Sequence, residues 1–344
     1  MATEIADEPR AVDATLAAFR RDHEHLAESL RPAHVILLGT GASLAVARCA
    51  RPLWQAADRT AGIDRQVDVI EAAEFLFGRQ ASRVAPAGSV VVAISKSGTS
   101  PEVLAAAEIA RQGASRVVVV TAFGDSALAA AADDVVLTPI GEEHGAATKS
   151  ETAALAALLA MGGAIEADAE SSAQLVAVIA AALADDSRIC AAVEHLAPAR
   201  RAWVVGFGAS NGVAEALALL WHEKARTPAV ASTPSGFRHG LVEAGAAGDA
   251  LIVVDAGDLD DLGRRYLDRL EEESARIGIS TVWLSAAERH GTWIPLSGET
   301  TPHRVLEALI RGQQLTHETA VRIGTYVDGF TVLRTHVQPG APFA

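Results

Sequence analysis

The chain has 344 residues, of which 50% are hydrophobic, and a formal net charge of −14 at pH 7. This length and composition allow two hydrophobic cores of ordinary domain size. The negative charge argues against a broad nucleic-acid-binding surface, because such surfaces need clustered Lys and Arg. Any anion-binding site must therefore be local.

Cysteine usage and hydropathy indicate the compartment. Cys49 and Cys190 are far apart and lack zinc-ligand spacing, which favours a reducing environment over a disulfide framework. Residues 1–13 are acidic, with no apolar stretch of signal-peptide length, and the alanine-rich stretch 153–164 is too short to cross a bilayer. We expect a cytoplasmic protein without membrane or nucleic-acid partners.

Hydrophobic patterning predicts elements along the whole chain. A leading helix begins at about residue 10. Short β-branched runs then predict strands at 34–38, 67–70, 89–94, 116–121 and 135–138. After a second long helix over about 171–197, further strands are predicted at 202–206, 229–232, 249–254, 279–284 and 293–296. Apolar strands separated by helices indicate parallel sheets covered on both faces, so we expect two tandem doubly wound, flavodoxin-like α/β domains.

The two series of elements are an internal repeat. Gly39 and Gly206, which end similar apolar runs, stand 167 positions apart, and so do Glu151 and Glu318 within similar helical segments. Two matches in one register indicate two copies of one domain.

A phosphate site is predicted after the third strand. The apolar run 90–94 leads directly into Ser95, Lys96, Ser97, Gly98, Thr99 and Ser100, and a helix begins at Pro101. Backbone N–H groups at a helix start carry partial positive charge, the hydroxyls donate hydrogen bonds, and the lysine supplies a full charge. The competing interpretation is an ordinary turn in which Ser100 is the N-cap and Pro101 the first helical residue.

The second copy differs at this position. It has Asp255, Asp258, Asp260 and Asp261, whose carboxylates would repel phosphate. Only the first copy is therefore expected to bind the anion. The second copy instead carries Trp221-His222-Glu223-Lys224 on a helix and the segment 235–240 in a loop.

These motifs resemble a known family. The strand followed by Ser-x-Ser-Gly-x-Ser/Thr, the turn 39–43 (GTGAS) and the tandem sheets are similar to the sugar isomerase (SIS) domain proteins, in particular the isomerase half of glucosamine-6-phosphate synthase and the related deglycases. The resemblance implies that Ser95, Lys96, Ser97, Thr99 and Ser100 bind the substrate phosphate. It also implies a sugar-binding role for Thr40, Gly41, Ser43, Lys149 and Arg238.

The same resemblance implies the catalytic pair. The family uses a glutamate on the first helix of the second domain and a histidine sixteen residues later, and Glu223 and His239 stand at that spacing. Moving a carbonyl between C1 and C2 of a sugar needs a base for a carbon-bound proton, and histidine can open the ring. The family also implies a homodimer with shared sites and no cofactor.

The expected organisation is an N-terminal helix at 1–30, a first SIS domain at 31–165, a linking helix at 166–198 and a second SIS domain at 199–344. Three departures from the synthase are evident. There is no cysteine-led glutaminase domain, Leu220 stands where the synthase has a lysine, and no lysine follows Lys224.

These departures favour a ketosamine (fructosamine)-6-phosphate deglycase. An aldose–ketose isomerase, or an ammonia-dependent aminosugar-phosphate isomerase or deaminase, remains an alternative. So does a non-catalytic sugar-phosphate sensor, although residues 1–30 leave little room for a DNA-binding module. A dinucleotide enzyme is disfavoured, since the turn 39–44 lacks the third glycine of that motif.

Purely structural roles for these residues also remain possible at this stage. Glu223 could pair with Lys224 or Arg226, and His239 could be a core or interface histidine. Lys96 or Lys149 could be a solvated surface charge. Glu142, Glu143 and His144 resemble a metal cluster only superficially, because adjacent loop residues seldom reach one ion, so no metal is expected.

Overall fold

The computed structural model describes residues 1–22, 26, 30, 34–78, 86–113, 115–257 and 259–330. This part of the chain divides into two units. The first unit comprises Asp7–Glu143 and Lys149–Val176, and the second comprises Met1–Ala6, His144–Thr148 and Ala177–Phe330.

Within the described ranges, the strands form two five-stranded parallel sheets. The strands are β1 (Val35–Gly39), β2 (Val67–Glu71), β3 (Val90–Ile94), β4 (Arg116–Thr121), β5 (Asp134–Leu137), β6 (Ala202–Gly206), β7 (Ala229–Ser232), β8 (Ala250–Asp255), β9 (Ser280–Ser285) and β10 (Thr292–Pro295). The strand orders are β2-β1-β3-β4-β5 and β7-β6-β8-β9-β10, which is the flavodoxin-like order. Every predicted strand lies within one residue of its observed bounds.

The helices are α1 (Ala2–Ala6), α2 (Glu8–Asp22), α3 (Ala42–Ala61), α4 (Ala72–Phe77), α5 (Pro101–Gln112), α6 (Ala127–Ala130), α7 (Lys149–Met161), α8 (Ala169–Ala184), α9 (Ser187–Leu196), α10 (Ala209–Leu220), α11 (Pro234–Arg238), α12 (Asp261–Arg276) and α13 (Thr301–Arg322). A π-helical turn spans Trp221–Ala225, and a 3₁₀ turn spans Leu241–Ala244. No helix in the described ranges is long and apolar enough to cross a bilayer.

Two helix predictions need correction. The leading helix begins at Glu8 rather than near residue 10, and most of residues 23–30 lie outside the described residues. The predicted helix over 171–197 is two helices, α8 and α9. The break has a local cause, because the Asp185 carboxylate accepts hydrogen bonds from the Ser187 backbone N–H at 3.1 Å and from its hydroxyl at 2.6 Å. Such a turn competes with helix continuation.

Each sheet has its own buried core. In the first unit, β3 is buried along its whole length, and Phe75, Val103 and Leu128 belong to the apolar cluster that includes its residues. In the second unit, Trp203 of β6 packs against Phe237 of α11, with ring centroids 5.4 Å apart. Burial on this scale is the main stabilising contribution to such sheets.

The repeat is closest at the first strand and turn of each sheet. Strands β1 and β6 and helices α3 and α10 keep the 167-residue offset, whereas β3 and β8 begin only 160 positions apart. Gly41 (φ 57°, ψ −126°) and Gly208 (φ 54°, ψ −124°) adopt the same backbone conformation before α3 and α10. L-residues rarely adopt this conformation, so both copies require glycine here.

Replacing Gly208 by alanine tests this backbone requirement. A Cβ at this position would meet no atom within 4 Å, so any loss of stability comes from the dihedral angles alone. We expect Gly208→Ala to lower the free energy of unfolding by about 1–3 kcal/mol in urea titrations. Gly257→Ala is the control, because a Cβ there also meets nothing within 4 Å and the backbone lies outside the positive-φ region. Equal effects of the two substitutions would contradict the argument.

Candidate functional site

The segment between β3 and α5 is held tightly by its neighbours. The Ser95 backbone N–H donates to the Val120 carbonyl at 3.1 Å, and the Lys96 carbonyl accepts from the Ala122 N–H at 3.1 Å and the Thr121 hydroxyl at 3.0 Å. The backbone of the segment is therefore fixed against the end of β4. These backbone contacts do not involve the serine hydroxyls or the lysine side chain of the segment, whose contacts are different.

Gly98 allows the segment to turn. Its φ is +61°, and a Cβ at this position would lie 2.0 Å from the Ser126 hydroxyl oxygen. Its N–H donates to the Ser95 carbonyl, and its carbonyl accepts from the Leu128 N–H at 3.0 Å. Nearby, the Ser97 hydroxyl accepts hydrogen bonds from the backbone and the hydroxyl of Thr99. No other residue type fits at Gly98.

The first turn of α5 has no side-chain cap. Ser100 and Pro101 hold the predicted N-cap and first helical positions, but the Ser100 hydroxyl caps no backbone N–H. It lies 3.1 Å from the Ser95 hydroxyl instead. The orphan N–H groups of a helix start are normally satisfied by a cap or by a ligand. The start of α5 therefore has the features of an anion site.

The matching junction in the second unit is closed. Helix α12 follows β8, and its N-cap Asp260 accepts a hydrogen bond from the Gly263 N–H at 2.8 Å. The Asp255 carboxylate at the end of β8 is buried and accepts from Arg289 at 3.1 Å and from Ser285 at 3.2 Å. Asp258 lies outside the described residues. Carboxylates of the chain itself therefore occupy the position that an anion would take.

Lys96 is oriented by a residue that the sequence did not single out as functional. Its Nζ lies 2.7 Å from Oε2 of Glu143, whose side chain is fully buried. Ser150 at the start of α7 donates to Glu143 from its N–H at 2.9 Å and from its hydroxyl at 2.5 Å. Burial opposes ionisation, but Lys96 and Ser150 outweigh it and hold the pKa of Glu143 below 4.5.

The residues with a predicted sugar-binding role have different surroundings. Strands β1 and β3 are parallel neighbours, so the turn with Thr40, Gly41 and Ser43 lies at the same edge of the sheet as the Ser95–Ser100 segment. Lys149 is buried, and its Nζ pairs with Asp7 at 2.8 Å. The Arg10 guanidinium and the Lys149 ammonium lower the pKa of Asp7 to about 2. Lys149 is therefore not a solvated charge.

Glu223 lies in the π-helical turn that continues α10. Such turns are rare and often occur at functional sites. His222 anchors the turn, because its Nε2 accepts a hydrogen bond from the Ala229 N–H at 2.9 Å. Lys224 is buried and donates to the Gly329 carbonyl at 3.1 Å, and its burial lowers its pKa. Arg226 ends the turn at φ 54°, the one non-glycine residue with positive φ in the described ranges.

His239 follows the short helix α11 directly. Its backbone N–H donates to the Ser235 carbonyl at 3.0 Å, and the residue is exposed, which excludes the core-histidine interpretation. The preceding Arg238 makes a bidentate ion pair with Glu273 at 2.7 and 2.9 Å. The structure therefore gives Arg238 a partner within the protein.

The two predicted catalytic residues lie at opposite edges of the second sheet. Glu223 precedes β7, near the Ala229 end, whereas His239 follows β7 beyond Ser232. Strand β7, which lies between them in the chain, spans about 10 Å along the sheet. The second unit therefore does not bring Glu223 and His239 together at one edge of its own sheet. Within the described ranges, no group of His, Cys, Asp and Glu side chains could hold a metal ion.

Replacing Glu143 tests its electrostatic role. Its pKa is lower in the folded protein, so its stabilising contribution is complete above pH 4.5 and is lost as the pH falls through the folded-state value. We expect the free energy of unfolding of Glu143→Gln to decrease less steeply than that of the wild type below pH 4.5 in urea titrations. The neighbouring Glu142→Gln should follow the wild type. Parallel curves for all three proteins would rule out the Lys96–Glu143 pair as a source of stability.

Comparison with known proteins identifies part of the chain. Residues 30–162 match the family model of the SIS domain. No curated protein sequence matches the chain.

Solved structures extend the likeness to both sheets. Tagatose-6-phosphate ketose/aldose isomerase from Escherichia coli has a TM-score of 0.83 at 21% identity, covering 98% of this chain and 96% of that one. The C-terminal domain of glucosamine-fructose-6-phosphate aminotransferase from Francisella tularensis has a TM-score of 0.78 at 19% identity, covering 95% and 96%. Glucosamine-6-phosphate deaminase from Thermotoga maritima has a TM-score of 0.73 at 19% identity, covering 98% of each chain. The chain thus carries a SIS domain at residues 30–162 and shares the fold of these structures along nearly its whole length.

Proposed function

We propose that the protein processes a sugar 6-phosphate by moving a proton between neighbouring carbons through an enediol or enolamine. The observation that carries this proposal is the uncapped first turn of α5, preceded by serine and threonine hydroxyls and Lys96 within a SIS domain. A phosphate monoester supplies acceptor oxygens for the N–H and hydroxyl donors of this segment and a negative charge for its lysine. The solved structures with the same fold include proteins named for sugar-phosphate chemistry.

In this mechanism the phosphate and the reacting carbons are recognised by different groups. Binding energy from the phosphate orients C1 and C2 without taking part in the chemistry. Glu223 takes a proton from one carbon and returns it to its neighbour, which a half-buried carboxylate can do. His239 transfers the proton of the ring oxygen when the hemiacetal opens.

A ketosamine 6-phosphate is the proposed substrate. Glu223 removes a proton from C1, which bears the amine, and returns it to C2. The C2 oxygen gains a proton and the amine nitrogen loses one, so that C2 carries a hydroxyl and C1 is joined to nitrogen as an imine. Water then hydrolyses the C1–N bond and releases an amine and an aldose 6-phosphate. Leu220, at the position of a synthase lysine, lies in an apolar cluster with Met1, Ile5 and Ala146. No amine stands there to form a Schiff base with a ketose.

Aldose–ketose isomerisation is the second candidate. It needs the same proton transfer without the imine hydrolysis, and it is supported by the similarity to the Escherichia coli tagatose-6-phosphate isomerase. The two candidates differ in one product, since only the deglycase releases an amine.

We further propose that the active protein is a homodimer with shared sites. Glu223 and His239 lie at opposite edges of one sheet, so a site that uses both is most simply built from two chains. The exposure of His239 supports this arrangement.

The proton transfer is tested with a panel of ketose, aldose and ketosamine 6-phosphates in D₂O, with products measured by mass spectrometry. We expect up to one deuterium at C2, because the proton held by Glu223 exchanges with the solvent before it is transferred, and we expect release of an amine from the ketosamine. Glu223→Gln should lower kcat by about 100- to 10 000-fold, because it removes the general base, while phosphate binding measured by calorimetry persists.

Glu215→Gln, on the same helix α10, should keep wild-type activity. A wild-type protein that binds a sugar phosphate but turns over no member of the panel would be a sensor and would refute the enzymatic proposal. Isomerisation without amine release would select the second candidate.

Shared sites are tested by mixing inactive variants. Equal amounts of Glu223→Gln and His239→Ala protein, unfolded and refolded together, should regain about a quarter of the wild-type kcat, because half of the dimers are mixed and each holds one intact site. Each variant refolded alone is the control. Recovery of no activity, with mixed dimers confirmed by native mass spectrometry, would show that both residues act within one chain.

A further inference from the structure

Outside the proposed reacting groups, the second unit contains an ion pair between Arg238 and Glu273. We propose that Glu273 is a positioning residue, which fixes residues 234–244, called here the His239 segment, onto helix α12 by holding Arg238. This inference rests on the proposed function, because it assigns a role in placing the proposed ring-opening histidine.

The His239 segment has little secondary structure of its own. Helix α11 has only five residues, from Pro234 to Arg238, and its start is capped by the Thr233 hydroxyl, which accepts from the Gly236 N–H at 3.0 Å. After His239, Gly240 has a φ of 151°, which is open to few other residues. A single helical turn is not stable alone. The direction of the His239 side chain therefore depends on contacts made by its neighbours.

Two adjacent residues supply those contacts. Phe237 is fully buried against Trp203 and holds the segment to the core. Arg238 holds it laterally, because its Nε and Nη2 donate to the two carboxylate oxygens of Glu273 at 2.7 and 2.9 Å. A bidentate pair restrains orientation as well as distance.

The ion pair is part of a larger cluster on α12. Arg269 donates to the same Glu273 carboxylate at 2.9 Å. The Arg238 guanidinium also lies over the Tyr266 ring, 4.8 Å from its centroid, and Tyr266 packs edge-on against Phe207, with centroids 5.8 Å apart. Hydrogen bonds from the two arginines lower the pKa of Glu273, which keeps it ionised at neutral pH.

These contacts change the interpretation of Arg238. The family resemblance implied a sugar contact for Arg238. In the structure its Nε and Nη2 already donate to both carboxylate oxygens of Glu273. Turned toward Glu273 and Tyr266, Arg238 links the reactive segment to a long helix. Glu273 then acts on the reaction only through His239.

The test compares Glu273→Ala with Glu272→Ala in the full-length protein. Glu272 is the neighbouring residue on α12, is 67% exposed and pairs only loosely with Arg276 at 3.8 Å, so it controls for loss of a surface carboxylate. We expect amide hydrogen exchange of residues 234–244 to accelerate in Glu273→Ala and to stay at the wild-type rate in Glu272→Ala. We also expect kcat of Glu273→Ala to fall about tenfold or more, with KM for the sugar phosphate unchanged.

A double-mutant cycle with His239→Ala shows whether Glu273 acts through the histidine. In the His239→Ala background, Glu273→Ala should cause no further loss of kcat, because there is no imidazole left to position. Additive losses would overturn the proposal. So would unchanged exchange of residues 234–244, or faster exchange with an unchanged kcat.

The alternative role of Arg238 gives a different result. If Arg238 bound the sugar, Arg238→Ala would raise KM with little change in kcat, and Glu273→Ala would leave kcat intact, which would also overturn the proposal. Absence of turnover in the wild type would refute the proposed function, whereas the exchange comparison would still decide whether Glu273 anchors the segment.

Discussion

The junction between β3 and α5 lacks the side-chain cap that a helix start usually has. A helix start needs hydrogen-bond acceptors for its first N–H groups, and in α12 the chain provides one through Asp260. At α5 the N-cap Ser100 contacts Ser95 instead. A bound anion is one group that can supply the acceptor there. The proposed phosphate site, and with it the proposed chemistry, depends on this missing cap.

Charge is arranged locally around that junction. The chain as a whole is strongly acidic, which repels anions at long range, yet Lys96 stands beside the helix start. Glu143 holds the lysine without leaving the carboxylate in solvent. Because Glu143 is buried and bonded to Ser150, its position is set by the start of α7. The lysine is therefore oriented before any ligand arrives, which reduces the entropy lost on binding.

The two copies of the domain differ in the side chains that follow their third strands, β3 and β8. In the first unit the end of β3 leads into serine, threonine and lysine side chains, whereas in the second unit the end of β8 is occupied by the Asp255–Arg289 pair. The second unit uses other features, a π-helical turn that carries Glu223 and a short helix that carries His239. Placing these residues at opposite edges of one sheet divides the proposed acid–base work. In the proposed function, the first copy binds the phosphate and the second copy carries the acid–base residues.

The amino-acid sequence by itself determined the strands, the repeat and the position of the hydroxyl-rich segment after β3. Short β-branched apolar runs are typical of buried parallel strands, and glycine and serine directly after such a run favour a turn. The break between α8 and α9 was missed, because a single aspartate side chain redirects the backbone against a strong helical pattern. Helix propensity is summed over many residues, whereas such a turn depends on one contact.

Only the tertiary structure decided which charged side chains form ion pairs within the protein. Lys96 and Glu143, and likewise Arg238 and Glu273, are 47 and 35 positions apart in the chain, and no spacing rule links such pairs. Lys149 and Arg238 have the residue types expected for sugar contacts, and the fold gives each of them a carboxylate partner, Asp7 and Glu273. Ion pairs across a fold depend on where whole elements pack. A linear pattern therefore shows which groups are available, and the packing decides which remain for a ligand.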